Sequence, residues 1–327
     1  MTERKYHVTG IGNAIVDVLS HCQEDFIVNE GMTKGTMALV DEIQAQALYE
    51  KMEETVEMSG GSVANSLAGL AQLGARTSFI GKVRNDTLGA SFRDGMESIG
   101  IHFTTPSATG GKPTARCLIS VTPDGERTMN TYIGICADIT PEEIDIELIK
   151  NAQMLLIEGY LWDQESAKQA IRQAVEIARQ AETKVAFSLS DVFCVDRHRD
   201  EFKALIRDYV DILFANEGEI ASLGHGAEWE DTIALYANQV ETLCATKGEN
   251  GSVILHQGER FEIPAATVAG EVVDLTGAGD LYAAGVLYGL THGMDIAKAG
   301  ELGSKCAADI IQQMGPRSQQ PLDRHVA

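Results

Sequence analysis

Short, almost wholly apolar runs alternate with helix-length stretches along most of this chain, and few folds accept that alternation. Met154-Leu155-Leu156-Ile157 and Val210-Asp211-Ile212-Leu213-Phe214-Ala215 have too little polar alternation for one wet face. Strands of that kind sit in parallel sheets covered on both sides. Further strands are expected at residues 6–12 (running into a tight glycine turn), 77–81, 184–189, 241–246 and 252–256. Helices are expected at 41–56 (with Asp41 as N-cap), 66–73, 92–99, 166–181, 277–292 and 296–313. The spacing predicts an α/β fold with a central, mostly parallel sheet.

Residues 114–134 break the rhythm. A β-rich run at 114–121 meets the turn Pro123-Asp124-Gly125-Glu126, and 127–132 returns as a second strand. That is a hairpin rather than a strand–helix–strand unit. Short strands between Val16 and Val40 are available to pair with it, giving a small β layer over the α/β body. No internal repeat, low-complexity tract or linker divides the chain, so a single domain over 1–327 is expected, and RSQQPLDRHVA reads as a loose tail.

Charge removes some function classes. Acids outnumber bases 48 to 26, for a net charge of −22. Such a surface repels nucleic-acid backbones and anionic lipid, so neither is expected as a partner. A small anion remains acceptable wherever a few oriented N–H groups override the global field. The first residues lack the shape of a signal peptide, and no run approaches the roughly 18 apolar residues of a membrane span. The six cysteines (22, 117, 136, 194, 244, 306) make no CxxC or zinc-knuckle spacing. Reduced thiols in a cytoplasmic protein are expected.

Four motifs carry chemistry. In Asp274-Leu275-Thr276-Gly277-Ala278-Gly279-Asp280, small residues open an apolar helix. Its first N–H groups and dipole suit an anion. A carboxylate there opposes an anionic ligand, unless its task is to take a proton from an attacking hydroxyl. The plainer alternative is dipole complementation by Asp280 over a glycine turn. In Gly60-Gly61-Ser62-Val63-Ala64-Asn65-Ser66, a glycine pair lets backbone approach a ligand, and Asn65 offers both a donor and an acceptor. The alternative is a helix entry capped by Ser62.

Asn216-Glu217-Gly218-Glu219 follows a buried strand, at the sheet edge where α/β proteins bind ligands. Acids there suit the waters of a magnesium ion, or merely a solvated helix start. Gly12-Asn13-Ala14-Ile15-Val16-Asp17 follows the first strand, and Asn13 and Asp17 suit the vicinal hydroxyls of a ribose. Gly10-x-Gly12-x-x-Ile15 lacks the third glycine of a dinucleotide fingerprint. No Lys is followed by Ser or Thr, so there is no Walker loop, and HExxH and GxSxG are absent too.

Taken together and in this order, the four motifs resemble the ribokinase-like (PfkB-type) carbohydrate kinases from about Val8 to Pro316. The resemblance implies a three-layer ribokinase-like fold with a small β lid from about 14–40 and 112–135. It implies ATP and magnesium as cofactors, Asp280 as catalytic base, and Gly277, Ala278 and Gly279 as an anion hole. Asn13, Asp17, Gly60, Gly61 and Asn65 would hold the acceptor. Thr246, Gly248, Gly251 and Arg127 would face ATP, and Asn216 and Glu219 would help place magnesium.

Within the family, Gly60-Gly61-Ser62-x-x-Asn65-Ser66, Gly12-Asn13-x-x-x-Asp17 and Met37-Ala38-Leu39-Val40 are similar to the adenosine kinase branch. Transfer of a phosphoryl group from ATP to the 5′-hydroxyl of adenosine is therefore expected. A kinase of free ribose or fructose and a non-catalytic nucleoside-binding protein remain as alternatives. Tyr160, Leu161 and Trp162 are available as a wall for a purine, or as core. Leu275 departs from the small or hydroxyl residue usual in the late signature. Asp274 and its neighbours contribute to a monovalent-cation site in the family, so Leu275 leaves potassium dependence open, as it does Thr276 as a substitute. Monomer and homodimer both remain open.

Overall fold

The computed structural model describes residues 4–326. The chain runs β1 (Tyr6–Ile11), β2 (Ile15–His21), α1 (Glu24–Asn29), β3 (Met37–Leu39), α2 (Glu42–Tyr49), β4 (Val56–Gly60), α3 (Ser62–Gln72), β5 (Thr77–Ile80), α4 (Thr87–Ser98), β6 (Ala115–Val121) and β7 (Arg127–Tyr132). It continues α5 (Ile146–Lys150), β8 (Ala152–Glu158), α6 (Glu165–Gln180), β9 (Lys184–Ser188), α7 (Val192–Tyr209), β10 (Ile212–Asn216), α8 (Glu217–Gly224) and α9 (Trp229–Ala237). It closes with β11 (Thr242–Thr246), β12 (Ser252–His256), β13 (Glu259–Ile263), α10 (Ala278–Thr291) and α11 (Ile296–Ile310).

Eight strands form one sheet in the order β13-β12-β11-β10-β9-β8-β1-β5. It is parallel from β11 to β5, and β12 and β13 close one edge antiparallel. Successive side chains along a strand face opposite sides. Val8 and Leu156 therefore pack with Leu67, Leu281 and Leu302 of α3, α10 and α11. Leu155 and Ile157 pack with Ile171 and Val175 of α6 and Ile206 of α7. Helices cover both faces, which is why the strands read as continuous apolar runs.

Gly10 within β1 and Gly12 just beyond it leave room for helix α3, and the chain passes from β1 to β2 within residues 12–14. A Cβ on Gly10 would lie 2.4 Å from Val63 Cγ1, and one on Gly12 would lie 2.7 Å from Val63 Cβ. Helix α3 crosses β1 too closely for any side chain there.

A second sheet of five strands, β3-β7-β6-β2-β4, is the small β layer. The hairpin β6–β7 is antiparallel, and β2 and β3 pair parallel to β6 and β7. Strand β4 joins the other edge, antiparallel to β2. This pairing corrects the expected helix at 41–56. Asp41 does cap it, in a reciprocal box with Gln44, but α2 ends at Tyr49 and Val56 pairs with Leu19. Val16, Val18 and Leu118 turn toward α2 and α4 in the main core. Ile15, Asp17, Cys117, Ile119, Met129 and Thr131, two apart on their strands, share the opposite face.

The C-terminal segment is not the expected loose tail. Leu322 is fully buried, and Arg317 reaches the β4–α3 junction. All six cysteines are free thiols. Among the described residues, no helix is long and apolar enough to cross a membrane.

Candidate active site

A cavity of about 670 Å³ lies between the C-terminal edge of the main sheet and the inner face of the second sheet. Its floor is the first turn of α10. Gly277 enters that turn in the left-handed region, at φ +82°, where glycine avoids the Cβ penalty. Gly277, Gly279 and Asp280 line the cavity. The Ala278 side of the turn does not, and the Ala278 amide donates to Leu275 O at 3.2 Å.

Asp280 is held by the neighbouring helix. Ser62 Oγ donates to Asp280 Oδ1 at 2.6 Å, and Asn65 Nδ2 donates to Oδ2 at 2.9 Å. Helix α3 starts at Ser62, earlier than expected, with Gly61 as its N-cap at φ +96°. The Ser62 hydroxyl is therefore spent on Asp280 rather than on the helix cap. Burial pushes the Asp280 carboxyl above its ordinary range, while Ser62, Asn65 and the Arg317 charge pull it back. Asn65 Oδ1 is buried with no partner, because the amide group on the other side faces Asp280.

A second carboxylate braces the entry to the site. Glu158, fully buried at the end of β8, accepts from Asn13 N and Nδ2 on Oε1 and from Val63 N on Oε2, all at 2.9 Å. Burial pushes it up to about 7. Asn13 Oδ1 accepts from Cys136 Sγ at 3.0 Å, so the Asn13 side chain is engaged on both ends. Asp17 lines the cavity from the mostly apolar inner face of the second sheet, and burial pushes it up to about 7. A Cβ on Gly60 would lie 2.4 Å from Asp17 Oδ2. Gly60 makes room for that carboxyl and does not itself line the cavity.

Asn216 and Glu219 both line the cavity. They form a reciprocal capping box on α8. Asn216 Oδ1 accepts from Glu219 N at 2.9 Å, Glu219 Oε2 accepts from Asn216 N at 2.9 Å, and Glu219 Oε1 accepts from Asn216 Nδ2 at 2.7 Å. Glu219 is buried rather than solvated, and burial pushes it up to about 7. Their oxygens line the same cavity as the first turn of α10, and such oxygens suit the waters of a hydrated magnesium ion. Among the described residues there is no cluster of three or more His, Cys, Asp or Glu side chains that would hold a metal unaided.

Arg127 does not reach the cavity. Its guanidinium pairs with the buried Asp274 carboxylate, and Nη1 also donates to Thr276 Oγ1 at 3.3 Å. Asp274 further accepts from Thr276 N at 3.0 Å and Gly315 N at 2.9 Å. Arg127, Thr276 and Gly315 thus hold both oxygens of the Asp274 carboxylate. Leu275 points outward, 69% exposed, and Thr276 faces the cavity.

On the opposite wall Thr246 lines the cavity, while Gly248 and Gly251 lie in the loop behind it. Of Tyr160, Leu161 and Trp162, only Tyr160 faces the cavity. Leu161 and Trp162 are core, and Trp162 Nε1 donates to Glu201 Oε2 at 2.7 Å. Sequence reasoning missed Phe193, whose ring lies 6.0 Å from that of Tyr160 on the same wall. It also missed Glu158, although an acid closing a buried parallel strand is a visible signal. Nothing local marks Ser62 or Arg317, since their partners are remote in sequence.

The sequence profile described as "pfkB family carbohydrate kinase" matches residues 36–323. The curated 5-dehydro-2-deoxygluconokinase of Listeria monocytogenes serotype 4b (strain CLIP80459) is 30% identical over 333 aligned positions, covering 98% of this chain and 94% of the relative. The solved adenosine kinase of Sinorhizobium meliloti is 42% identical with a TM-score of 0.90, covering 99% of this chain and 100% of that one. A probable sugar kinase of Rhizobium etli CFN 42 is also 42% identical, with a TM-score of 0.89, covering 98% of this chain and 97% of that one.

Proposed function

The chain belongs to the pfkB family of carbohydrate kinases, and we propose that the acceptor it phosphorylates with ATP is the 5′-hydroxyl of a nucleoside, adenosine above all. The observation that carries this reading is the two-sided character of the cavity. Polar groups (Asn13, Asp17, Asn65 and Asp280) gather at one end, and Ile15, Cys117, Ile119 and Met129 make an apolar wall beside them. A nucleoside has that division, a hydroxylated ring joined to a flat apolar base. A free sugar is polar all round and leaves the wall unused. The solved adenosine kinase at 42% identity supports the same reading.

In this reading Asp280 is the catalytic base. The acceptor oxygen attacks the γ-phosphorus of ATP, its proton passes to the Asp280 carboxylate, the bond to the bridging oxygen breaks, and ADP leaves. A carboxyl raised by burial accepts a proton more readily than a solvated one. Ser62 and Asn65 fix its direction. Gly277 and Gly279 present the start of α10 to the phosphoryl oxygens. Asn216 and Glu219 would hold the waters of magnesium, which supplies charge neutralisation on the phosphates. Thr246 lines the nucleotide side. The second sheet acts as the lid, keeping water from the phosphoryl group.

The test is ADP release from ATP and magnesium with adenosine, inosine, guanosine, ribose, fructose and 5-dehydro-2-deoxygluconate. Turnover on adenosine is expected. Turnover on 5-dehydro-2-deoxygluconate alone would follow the curated relatives instead and retire the nucleoside reading.

A further inference from the structure

Three consecutive residues near the C-terminus touch the candidate site at three points. Gly315 N donates to Asp274 Oδ2 at 2.9 Å. Pro316 lines the cavity and lies against the anion-binding turn, where a Cβ on Gly277 would be 2.8 Å away. Arg317 passes under the start of α3. Its Nε donates to Ser59 O at 2.8 Å, Nη1 to Ala64 O at 2.9 Å and Nη2 to Ser59 Oγ at 3.3 Å. One guanidinium therefore ties the end of β4 to the first turn of α3, on either side of Gly61. That junction carries Ser62 and Asn65, the two residues that hold Asp280.

The charge has work there as well. Asp280 on α10 is faced by Ser62 and Asn65 from α3, by Asp17 from β2, by Glu158 at the end of β8 and Tyr160 just after it, and by Arg317. Asp17 on β2 is faced by Arg127 from β7, Cys117 from β6, Asp274 and Asp280 from around the α10 start, and Arg317. Arg127 is already paired with Asp274. Arg317 is the larger positive influence on Asp17 and acts on Asp280 as well.

We propose that Arg317 is a positioning residue for phosphoryl transfer, its planar fork fixing the β4–α3 junction that aims Asp280 and its charge balancing the Asp17 and Asp280 carboxylates. The proposal rests on Asp280 being the base. A lysine keeps the charge but loses the fork, and a methionine loses both while filling similar space.

Arg317→Met and Arg317→Lys are made in the full chain. Turnover is followed against pH with the acceptor that the wild type uses, and side-chain carboxyl titrations are followed by carbon NMR, with Asp17→Asn and Asp280→Asn assigning the signals. In Arg317→Met, both carboxyls are expected to titrate about one pH unit higher, moving the acid limb of turnover up by a similar amount. In Arg317→Lys, titrations near those of the wild type with turnover down about tenfold are expected. Unchanged midpoints in a folded Arg317→Met overturn the charge role, and wild-type turnover in Arg317→Lys overturns the fork. If Arg317→Met does not fold, Arg317→Lys alone decides. If Asp280→Asn stays active, the base reading falls, while the titration shift still reports on Arg317.

Discussion

The Ser62 hydroxyl donates to Asp280 Oδ1 at 2.6 Å across 218 residues of chain. The bond joins the first residue of α3 to the first turn of α10, and Asn65 repeats it one turn on. A short chain of donors thus sets where a carboxylate at the floor of the cavity points. It leaves each oxygen further capacity to accept, which a base needs.

Asp280→Asn keeps the shape of the site and removes the proton acceptor. Turnover is expected to fall by about 10² to 10⁴, with acceptor binding retained. Calorimetric binding beside steady-state kinetics separates the two, and near-normal turnover would sink the assignment.

Glu158 sets a pH dependence of stability. Folded, it keeps its proton up to about 7, while its ordinary value is 4.5. Between those values the native state binds more protons than the unfolded chain, so this contribution is full below the lower value and is lost as pH rises through the higher one. Asp17 and Glu219, also raised to about 7, act in the same direction. Glu158→Gln is expected to lower stability at every pH, because its amide meets N–H donors from Asn13 and Val63. It is also expected to flatten the fall in Tm between about pH 5 and pH 8. An unchanged slope would show that Glu158 does not titrate there.

Gly61 cannot carry a side chain in place. Its φ is +96°, and a Cβ would lie 2.2 Å from Asn13 O. Gly61→Ala is expected to cost about 1–3 kcal/mol in denaturant unfolding and to weaken acceptor binding, since Asn13 must shift. An alanine variant as stable as wild type would mean the junction relaxes freely.

Met129→Asp places a charge on the apolar wall. If the acceptor is a nucleoside, the KM for adenosine is expected to rise at least about tenfold with the KM for ATP unchanged, because an unpaired carboxylate is costly to cover with a base. Equal KM values for the variant and wild type would move the base elsewhere.

Arg127 and Asp274 are expected to behave as one unit. Removing either leaves a buried charge, at about 3–5 kcal/mol, and Arg127→Met with Asp274→Asn together should cost much less than the sum. Additive costs in a double-mutant cycle would deny the pairing.

Much of this molecule was legible before any coordinates. Continuous apolar runs such as Val210 to Ala215 announce a sheet covered on both faces, and Pro123-Asp124-Gly125 announces the hairpin of the second sheet. Gly277 and Gly279 announce a glycine-opened helix start with Asp280 in its first turn, and that turn lines the cavity. The limits of α2 were not legible. Nothing in DEIQAQALYEKMEETV marks a stop at Tyr49, since Val56 is claimed by Leu19 of a strand far from it in sequence. The same holds for Leu161 and Trp162, whose turn away from the cavity depends on the packing of α6 and α7.

Periodicity and turn chemistry are properties of neighbouring residues. By itself, therefore, the sequence determined the strand–helix alternation, the hairpin and the glycine-opened helix that Asp280 enters. The choice of partner for each charge is a property of segments brought together from afar. Arg127 faces Asp274 instead of the cavity, Asn13 faces Glu158, and Arg317 comes back from the C-terminus to the junction beneath Asp280. Only the tertiary structure decided these, because burial makes an unpaired charge expensive, and which opposite charge lies within reach is settled by how the helices pack on the sheet.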